Sequence, residues 1–313
     1  MPLKRYFLIQ KVMTRVSLSL VPLLIFSVYL FGWRAFVITL VVLIFGVATE
    51  AHFTVRKGKP VTSSIIVTCL IFSLSLPPTV PFWIAVIGII TGVTFGKMVF
   101  GGFGQNIYNP AMVGRCFIYI AFPKEMTGSW LAPMWGGAGG FTSWEGSLDA
   151  VTRATPLMQI KEGVLPSLND LIIGNCSGSM GETSAILIAA AGLFLVYKKA
   201  ASWRLVVSCI AGGIAAGTIM RFFGNGPSIP YIFLSGAFLF GSVFVATEPI
   251  TGPKTPAGQL IYGFTAGSLT VLLREYSNFS EGFMFSILLL NAFVPLIDFG
   301  VRQAKTMKQA AHG

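Results

Sequence analysis

Long apolar runs separated by short polar turns dominate this chain. The first five fall at 16–33, 35–51, 62–77, 80–99 and 108–122, and five more at 184–197, 204–222, 229–246, 257–273 and 283–300. Most approach the ~20 residues that cross a bilayer as a helix. The runs 108–122 and 184–197 are shorter. They read as spans extended by flanking residues, or as half-helices buried in protein. A polar, glycine-rich interval, 123–183, lies between the two sets. The pattern predicts an all-α polytopic membrane protein of about ten transmembrane helices. It divides into a membrane half over 1–122 (helices 1–5), an extracytoplasmic loop over 123–183 and a second membrane half over 184–313 (helices 6–10).

Five runs on each side of one loop suggest an internal repeat, and an odd number of spans per repeat makes the two copies inverted. Leu76-Pro77-Pro78 precedes a helix spaced by Gly88, Gly92 and Gly96, and then Asn109-Pro110-Ala111. Glu248-Pro249 precedes Gly258, Gly263 and Gly267, and Asn291-Ala292-Phe293 then opens the middle of the last run. Ordinary packing of helices through small residues produces the same spacing.

Composition agrees with lipid as the solvent. Of 313 residues, 54% are hydrophobic and 11% charged, less than half the charged share of soluble domains. The formal charge of +11 sits between the apolar runs. No basic stripe is interleaved with aromatics, so no nucleic-acid partner is expected. Lys4, Arg5, Lys11 and Arg15 precede the first run, and Arg56, Lys57 and Lys59 follow the second. Lys198, Lys199 and Arg204 flank the turn after the sixth, and Arg302, Lys305 and Lys308 follow the last. With ten spans these segments share one side, which places both termini in the cytoplasm. The interval 123–183 carries three basic against six acidic residues, as suits the outer face. The first run has no small-residue cleavage site after it and is expected to be a retained helix. Trp33, Trp83, Trp130 and Trp203 lie near span ends, where interfacial anchors sit. Glu50 and Asp298 lie near predicted cytoplasmic ends. Each reads either as a functional intramembrane acid or as a solvated interface residue.

Cys69, Cys116, Cys176 and Cys209 form no CxxC pair, and His52 and His312 are near none of them. Neither a zinc site nor an Fe–S site within this chain alone is expected.

Two stretches carry candidate chemistry. In Gly101-Gly102-Phe103-Gly104-Gln105-Asn106-Ile107-Tyr108-Asn109-Pro110-Ala111-Met112, a glycine-rich turn leads into Asn109 as N-cap and Pro110 at the first helical position. The start of that helix offers free N–H groups to an anion or a flavin carbonyl. Arg115 follows six residues on and must face a partner, water or a cofactor, since lipid exposure is costly. The second stretch, Asp149-Ala150-Val151-Thr152-Arg153-Ala154-Thr155, is by its hydroxyl spacing alone only a turn.

Together the two stretches resemble one family: the D subunits of Rnf complexes and the B subunits of the sodium-translocating NADH:quinone oxidoreductases. The second stretch is similar to the flavinylation motif D-x-x-[S/T]-G-A-T, in which a flavin transferase joins FMN to the final threonine by a phosphoester. The resemblance implies covalent FMN on Thr155, with Asp149, Thr152, Arg153 and Ala154 in the motif, and Asn109 and Arg115 as further cofactor-binding candidates. Arg153 stands where the motif has glycine, and an arginine beside a phosphate makes charge-assisted bonds. Relatives also hold a second, noncovalent flavin such as riboflavin, to which no residue is assigned here. The long N-terminal extension of the quinone-reductase relatives has no counterpart, which favours the Rnf type. The family resembles the urea-channel architecture.

The resemblance implies a flavoprotein subunit of the bacterial inner membrane, relaying electrons within a multi-subunit ferredoxin:NAD oxidoreductase that moves Na⁺ or H⁺. It would not be catalytically complete alone. A subunit of the quinone-reductase type is the alternative within the family. A solute channel or secondary transporter of the same fold is the alternative outside it, and the stretch ending at Thr155 discriminates, since a channel has no use for a flavin tether.

Overall fold

The computed structural model describes residues 7–128, 130–144, 154–224, 226, 228–277 and 282–310. Asp149, Thr152 and Arg153 lie outside the described residues. Helices coincide with every apolar run. The first half holds α1 (Lys11–Phe31), α2 (Trp33–Val55), α3 (Ser64–Leu74), α4 (Phe82–Val93) and α5 (Pro110–Ala121). The central interval folds into the short helices α6 (Pro123–Thr127), α7 (Pro156–Lys161) and α8 (Leu168–Ile173). The second half holds α9 (Ala185–Tyr197), α10 (Trp203–Phe222), α11 (Ile229–Leu234), α12 (Phe238–Phe240), α13 (Pro256–Tyr276) and α14 (Gly282–Ala310). A two-residue parallel pair, β1 (Phe7–Leu8) and β2 (Val61–Thr62), ties the N-terminal segment to the turn before α3. By length and composition, α1, α2, α10 and α14 are long and apolar enough to cross a membrane.

The shorter helices follow from their surroundings. α3 is apolar all round, and every residue of it except Ile66 is buried. A helix with no polar stripe must be sheathed on all sides, and α1, α2 and α5 sheathe it. α4 and α5 meet through glycine: a Cβ on Gly114 would strike the Gly88 carbonyl. α10 and α13 approach through Gly267, where a Cβ would meet the Cys209 backbone. Small residues let backbones come this close.

Three features depart from the sequence reading. The run 229–246 is not one helix: it breaks between α11 and α12 at Gly236, which has φ +61°. The freed carbonyl of Ile232 accepts a bond from Arg274 Nη1 at 3.0 Å, as an interrupted helix in an apolar setting requires. The last run is not opened at Asn291, since α14 continues through Asn291 and Pro295. Asn291 starts no helix, and the turn that opens a helix in the manner of Asn109-Pro110 is Thr255-Pro256. Asn109 caps α5 by accepting from Ala111 N and Met112 N, and Thr255 caps α13 by accepting from Gly258 N. Both helices are preceded by a π-helical turn, Thr94–Met98 after α4 and Gly241–Val245 after α12.

Long-range bonds sort the helix ends into two layers. In one layer, Gln10 N bonds Ser63 Oγ, Arg15 bonds the Lys198 carbonyl, Ser202 bonds Gln259, and Asp298 bonds Thr255. In the other, Arg34 bonds the carbonyls of Thr79 and Val80, and the α1–α2 turn donates to Ser143 and Trp144. Tyr231 bonds Pro166, and Lys161 bonds Ser277, in that same layer. The central interval is thus folded onto one end of the bundle.

Candidate functional site

A cavity of about 600 Å³ lies where the central interval meets the bundle. It is bounded by the end of α5, by α7, by the turn ahead of α9 and by the break at Gly236. Glycine suits that break. Its φ is in the left-handed region, and a Cβ there would press on Leu157 Cδ1 at 2.5 Å. Glycine therefore lets α7 lie against the gap between α11 and α12.

Thr155 lines this cavity and starts α7. Its Oγ1 accepts from Met158 N at 3.3 Å, and Pro156 follows at the first helical position, a standard helix start. The sequence reading took the interval as a polar extracytoplasmic loop. Thr155 is instead only 9% exposed, because α7 docks onto the bundle rather than standing in solvent. Ala154 lies behind it, beside a second cavity of about 190 Å³.

Arg115 is buried in α5, and its Nη1 donates to Glu182 Oε1 at 3.0 Å. Its Nη2 donates to Ser179 Oγ at 3.3 Å. Glu182 and Ser179 both line the 600 Å³ cavity, so Arg115 and Thr155 are brought to one site. Asn109 is not. It caps the opposite end of α5, about 15 Å along the helix from Tyr119 at the cavity. Its cap bonds use the acceptor oxygen, and no cofactor role at Thr155 follows for it.

Sequence reading missed four residues here. Ser177 lines both cavities, and its covered Oγ has no hydrogen-bond partner among the described residues. Lys161 brings a cation to the same wall as Thr155. Trp130, expected as an interfacial anchor, is 9% exposed, lines the cavity and donates to the Thr127 carbonyl at 3.0 Å. Cys176, in the turn between α8 and α9, also lines the cavity. Burial first, then Asp170 and Glu182, push its thiol up to about 12. It stays protonated near neutral pH and is no nucleophile toward a bound ring. Trp33, Trp83 and Trp203 do project outward, at 44%, 55% and 53% exposure.

A second polar cluster lies at the other layer. Glu50 is fully buried, and so is not a solvated interface residue. Its Oε2 accepts from Lys97 Nζ at 2.6 Å, and its Oε1 accepts from Thr62 N at 3.1 Å and Thr62 Oγ1 at 2.8 Å. Lys97, on the π-helical turn after α4, was passed over as part of an apolar run. Asp298 is 8% exposed and accepts from the backbone N–H groups of Lys254 and Thr255, at 2.8 and 3.0 Å. It fixes the entry to α13.

Comparison with known proteins identifies the family. The model of the NQR2, RnfD, RnfE family matches residues 4–307. The chain is 34% identical over 324 residues to the D subunit of an ion-translocating oxidoreductase complex of Halorhodospira halophila, covering 93% of this chain and 89% of the relative. It is 35% identical over 309 residues to the D subunit of a proton-translocating ferredoxin:NAD(+) oxidoreductase complex of Clostridium ljungdahlii, covering 93% and 89%. It is also 35% identical over 299 residues to the B subunit of a Na(+)-translocating NADH-quinone reductase of Pseudoalteromonas atlantica, covering 91% and 71%. With a family match across nearly its whole length and relatives of this identity and coverage, the chain belongs to the NQR2, RnfD, RnfE family.

Proposed function

We propose that this chain is a membrane subunit of an ion-translocating oxidoreductase complex of the ferredoxin:NAD type, relaying electrons through FMN joined to Thr155 by a phosphoester. The observation that carries the reading is that Thr155, the last residue of the motif-like stretch, lines a cavity of about 600 Å³. That volume lies within the ~300–1,000 Å³ of small-molecule sites.

The residues at the cavity suit such a group. The diester formed on Thr155 carries one negative charge, and Lys161 on the same wall is its counter-ion. Ser177 supplies a hydroxyl in need of a polar partner, since an unsatisfied buried hydroxyl costs about 1–3 kcal/mol. Arg115 and Glu182 hold each other, leaving the floor rigid and neutral. Tyr119, Trp130 and Leu157 contribute apolar wall. When bound, the isoalloxazine would supply the redox chemistry, and the protein would supply position and polarity.

The two layers of helix ends support ten crossings with both termini cytoplasmic and the central interval outside. The layer that holds Arg15, Lys198 and Asp298 also holds the clusters at 56–59 and 302–308, as the positive-inside bias requires. Spans as short as α3, α5 and α9 are tolerated where other helices sheathe them. Two halves of inverted orientation are supported by the five apolar runs on each side of the central interval, whereas Asn109-Pro110 and Thr255-Pro256 open helices that start in the same layer. A flavin transferase and the other subunits of the complex are the partners this reading requires.

The test is the mass of the Thr155 peptide from protein made with the transferase present. We expect an increase of one FMN less water, and a fluorescent band surviving denaturing electrophoresis. An unmodified peptide would reject the flavin assignment at Thr155 and leave the family membership as it stands.

A further inference from the structure

Arg204, in the first turn of α10, has no partner for its charge among the described residues. Its guanidinium makes no hydrogen bond or ion pair with them, and its contact is the ring of Trp203, 5.5 Å from the centroid. It is half-buried and lines a cleft of about 460 Å³ between the turn after α9 and the turn before α13. Lys199 and Lys254 line the same cleft. Lys199 has φ +54°, the one positive φ at a non-glycine position among the described residues. It follows the end of α9, where its N–H bonds the Val196 carbonyl at 3.0 Å, a place that glycine fills at least cost. A lysine there accepts backbone strain and adds a cation to the rim. Ser202, the N-cap of α10, leaves the first turn uncapped, because its hydroxyl donates to Gln259 Oε1 at 2.7 Å.

The charge at this cleft is one-sided. Of the described residues, three bases line it against one carboxyl, Glu248. Burial raises that carboxyl to about 7, so near neutral pH it opposes an anion with only part of a charge. Asp298 lies nearby but is taken up by Lys254 N, Thr255 N and Thr255 Oγ1. Lys254 rests its ammonium on the carbonyls of Pro249 and Ile250, which holds it at the cleft. The setting is that of a membrane face. Trp203, beside Arg204, is 53% exposed, as an interfacial aromatic is. Further along the two helices, Val207 on α10 and Leu260 and Phe264 on α13 are exposed and apolar. A basic recess thus stands next to lipid-facing apolar surface.

We propose that Lys199, Arg204 and Lys254 form a binding site for the phosphate of an anionic phospholipid, with its head in the cleft and its chains along α10 and α13. A phosphate ester matches the planar fork of a guanidinium. Basic recesses between helices at the cytoplasmic surface take such head groups. A choline head would bring its own cation against the three bases. A free phosphate has the same oxygens but no chains, and the exposed Val207, Leu260 and Phe264 favour the lipid. The proposal rests on the reading of this layer as a membrane face and not on the flavin at Thr155, which lies at the opposite layer.

The experiment is thermal unfolding of the purified full chain in a neutral detergent, titrated with dioleoyl phosphatidylglycerol, with dioleoyl phosphatidylcholine and with inorganic phosphate. A ligand that binds only the folded state raises the midpoint as it saturates. Phosphatidylglycerol should raise it and phosphatidylcholine should not, since the chains are the same and only the head charge differs. Arg204→Gln should need about fivefold more phosphatidylglycerol for the same shift, the usual weight of one base at an anionic surface. Lys199→Gly should lose about as much, although glycine suits that backbone and should leave the lipid-free midpoint at least as high. Lost response without lost stability separates binding from a structural role. Lys305→Gln, on the exposed end of α14, should leave the dose unchanged. Equal responses to the two lipids would overturn the proposal, as would a shift reproduced by inorganic phosphate at the same concentrations. So would Lys305→Gln weakening the response as much as Arg204→Gln, the mark of diffuse attraction to the base-rich face. If Arg204→Gln does not fold, Lys199→Gly with Lys254→Gln decides: a higher dose supports the site and an unchanged dose rejects it. Micelles have no sides, so reporter fusions that reversed the two layers would leave this result standing.

Discussion

Arg115 Nη1 donates to Glu182 Oε1 at 3.0 Å, joining the middle of α5 to the turn ahead of α9, with both side chains nearly inaccessible. The pair closes the floor of the cavity at Thr155. Breaking one side strands the other charge, which costs about 3–5 kcal/mol. Arg115→Leu is therefore expected to lower the thermal midpoint sharply, a structural loss before any redox defect. Arg115→Leu with Glu182→Leu should recover much of it. A double-mutant cycle read by thermal unfolding in detergent measures the coupling. A coupling near zero would show that the pair is not the closure described.

The Thr155 hydroxyl serves as helix cap and as proposed attachment atom, and two substitutions separate the roles. Thr155→Ser keeps a hydroxyl and should retain both the cap and in-gel flavin fluorescence. Thr155→Val should lose the fluorescence and about 1 kcal/mol of stability, the usual worth of a capping hydroxyl. Fluorescence persisting in Thr155→Val would move the attachment elsewhere.

Cys176 should resist alkylation. With its thiol pushed up to about 12, about one part in ten thousand is thiolate at pH 8, against about a tenth for a thiol at the ordinary value of 9.0. Iodoacetamide at pH 8, read by mass spectrometry of the Cys176 peptide, should label it far more slowly in folded protein than after denaturation. The rate should climb with pH across the accessible alkaline range. Labelling at the denatured rate would mean that the turn ahead of α9 is not packed as described.

Reporter fusions test the two layers as membrane faces. Fusions at Gly58, Lys199 and Gly313 should report the cytoplasm, and a fusion at Gly139 should report the outside. Gly139 and Lys199 on one face would contradict the bond-sorted ends, which place them in opposite layers.

Much of this protein is written locally. The apolar runs located the helices, since a bilayer-length stretch without charge has few alternatives to a helix. Asn109-Pro110 announced the start of α5, because a cap needs only residues within a turn of it. Base-rich segments indicated a common side for the same reason. Partnership was not written locally. Glu50 finds Lys97 across 47 residues, and Arg115 finds Glu182 across 67. Hydropathy registers each such charge as a cost and cannot say which other charge removes it. The run 229–246 is apolar from end to end, yet it breaks at Gly236, where α7 must approach and where Arg274 stands ready to take a freed carbonyl. Thr155 reads as part of an outer loop because the interval around it is polar, and Trp130 as an interfacial anchor because it follows a span. They are buried because the central interval folds down onto the bundle. The sequence determined which segments are helical and which face is basic. Tertiary packing decided which buried charges are neutralised and where the cavities lie, because both depend on groups brought together from distant parts of the chain.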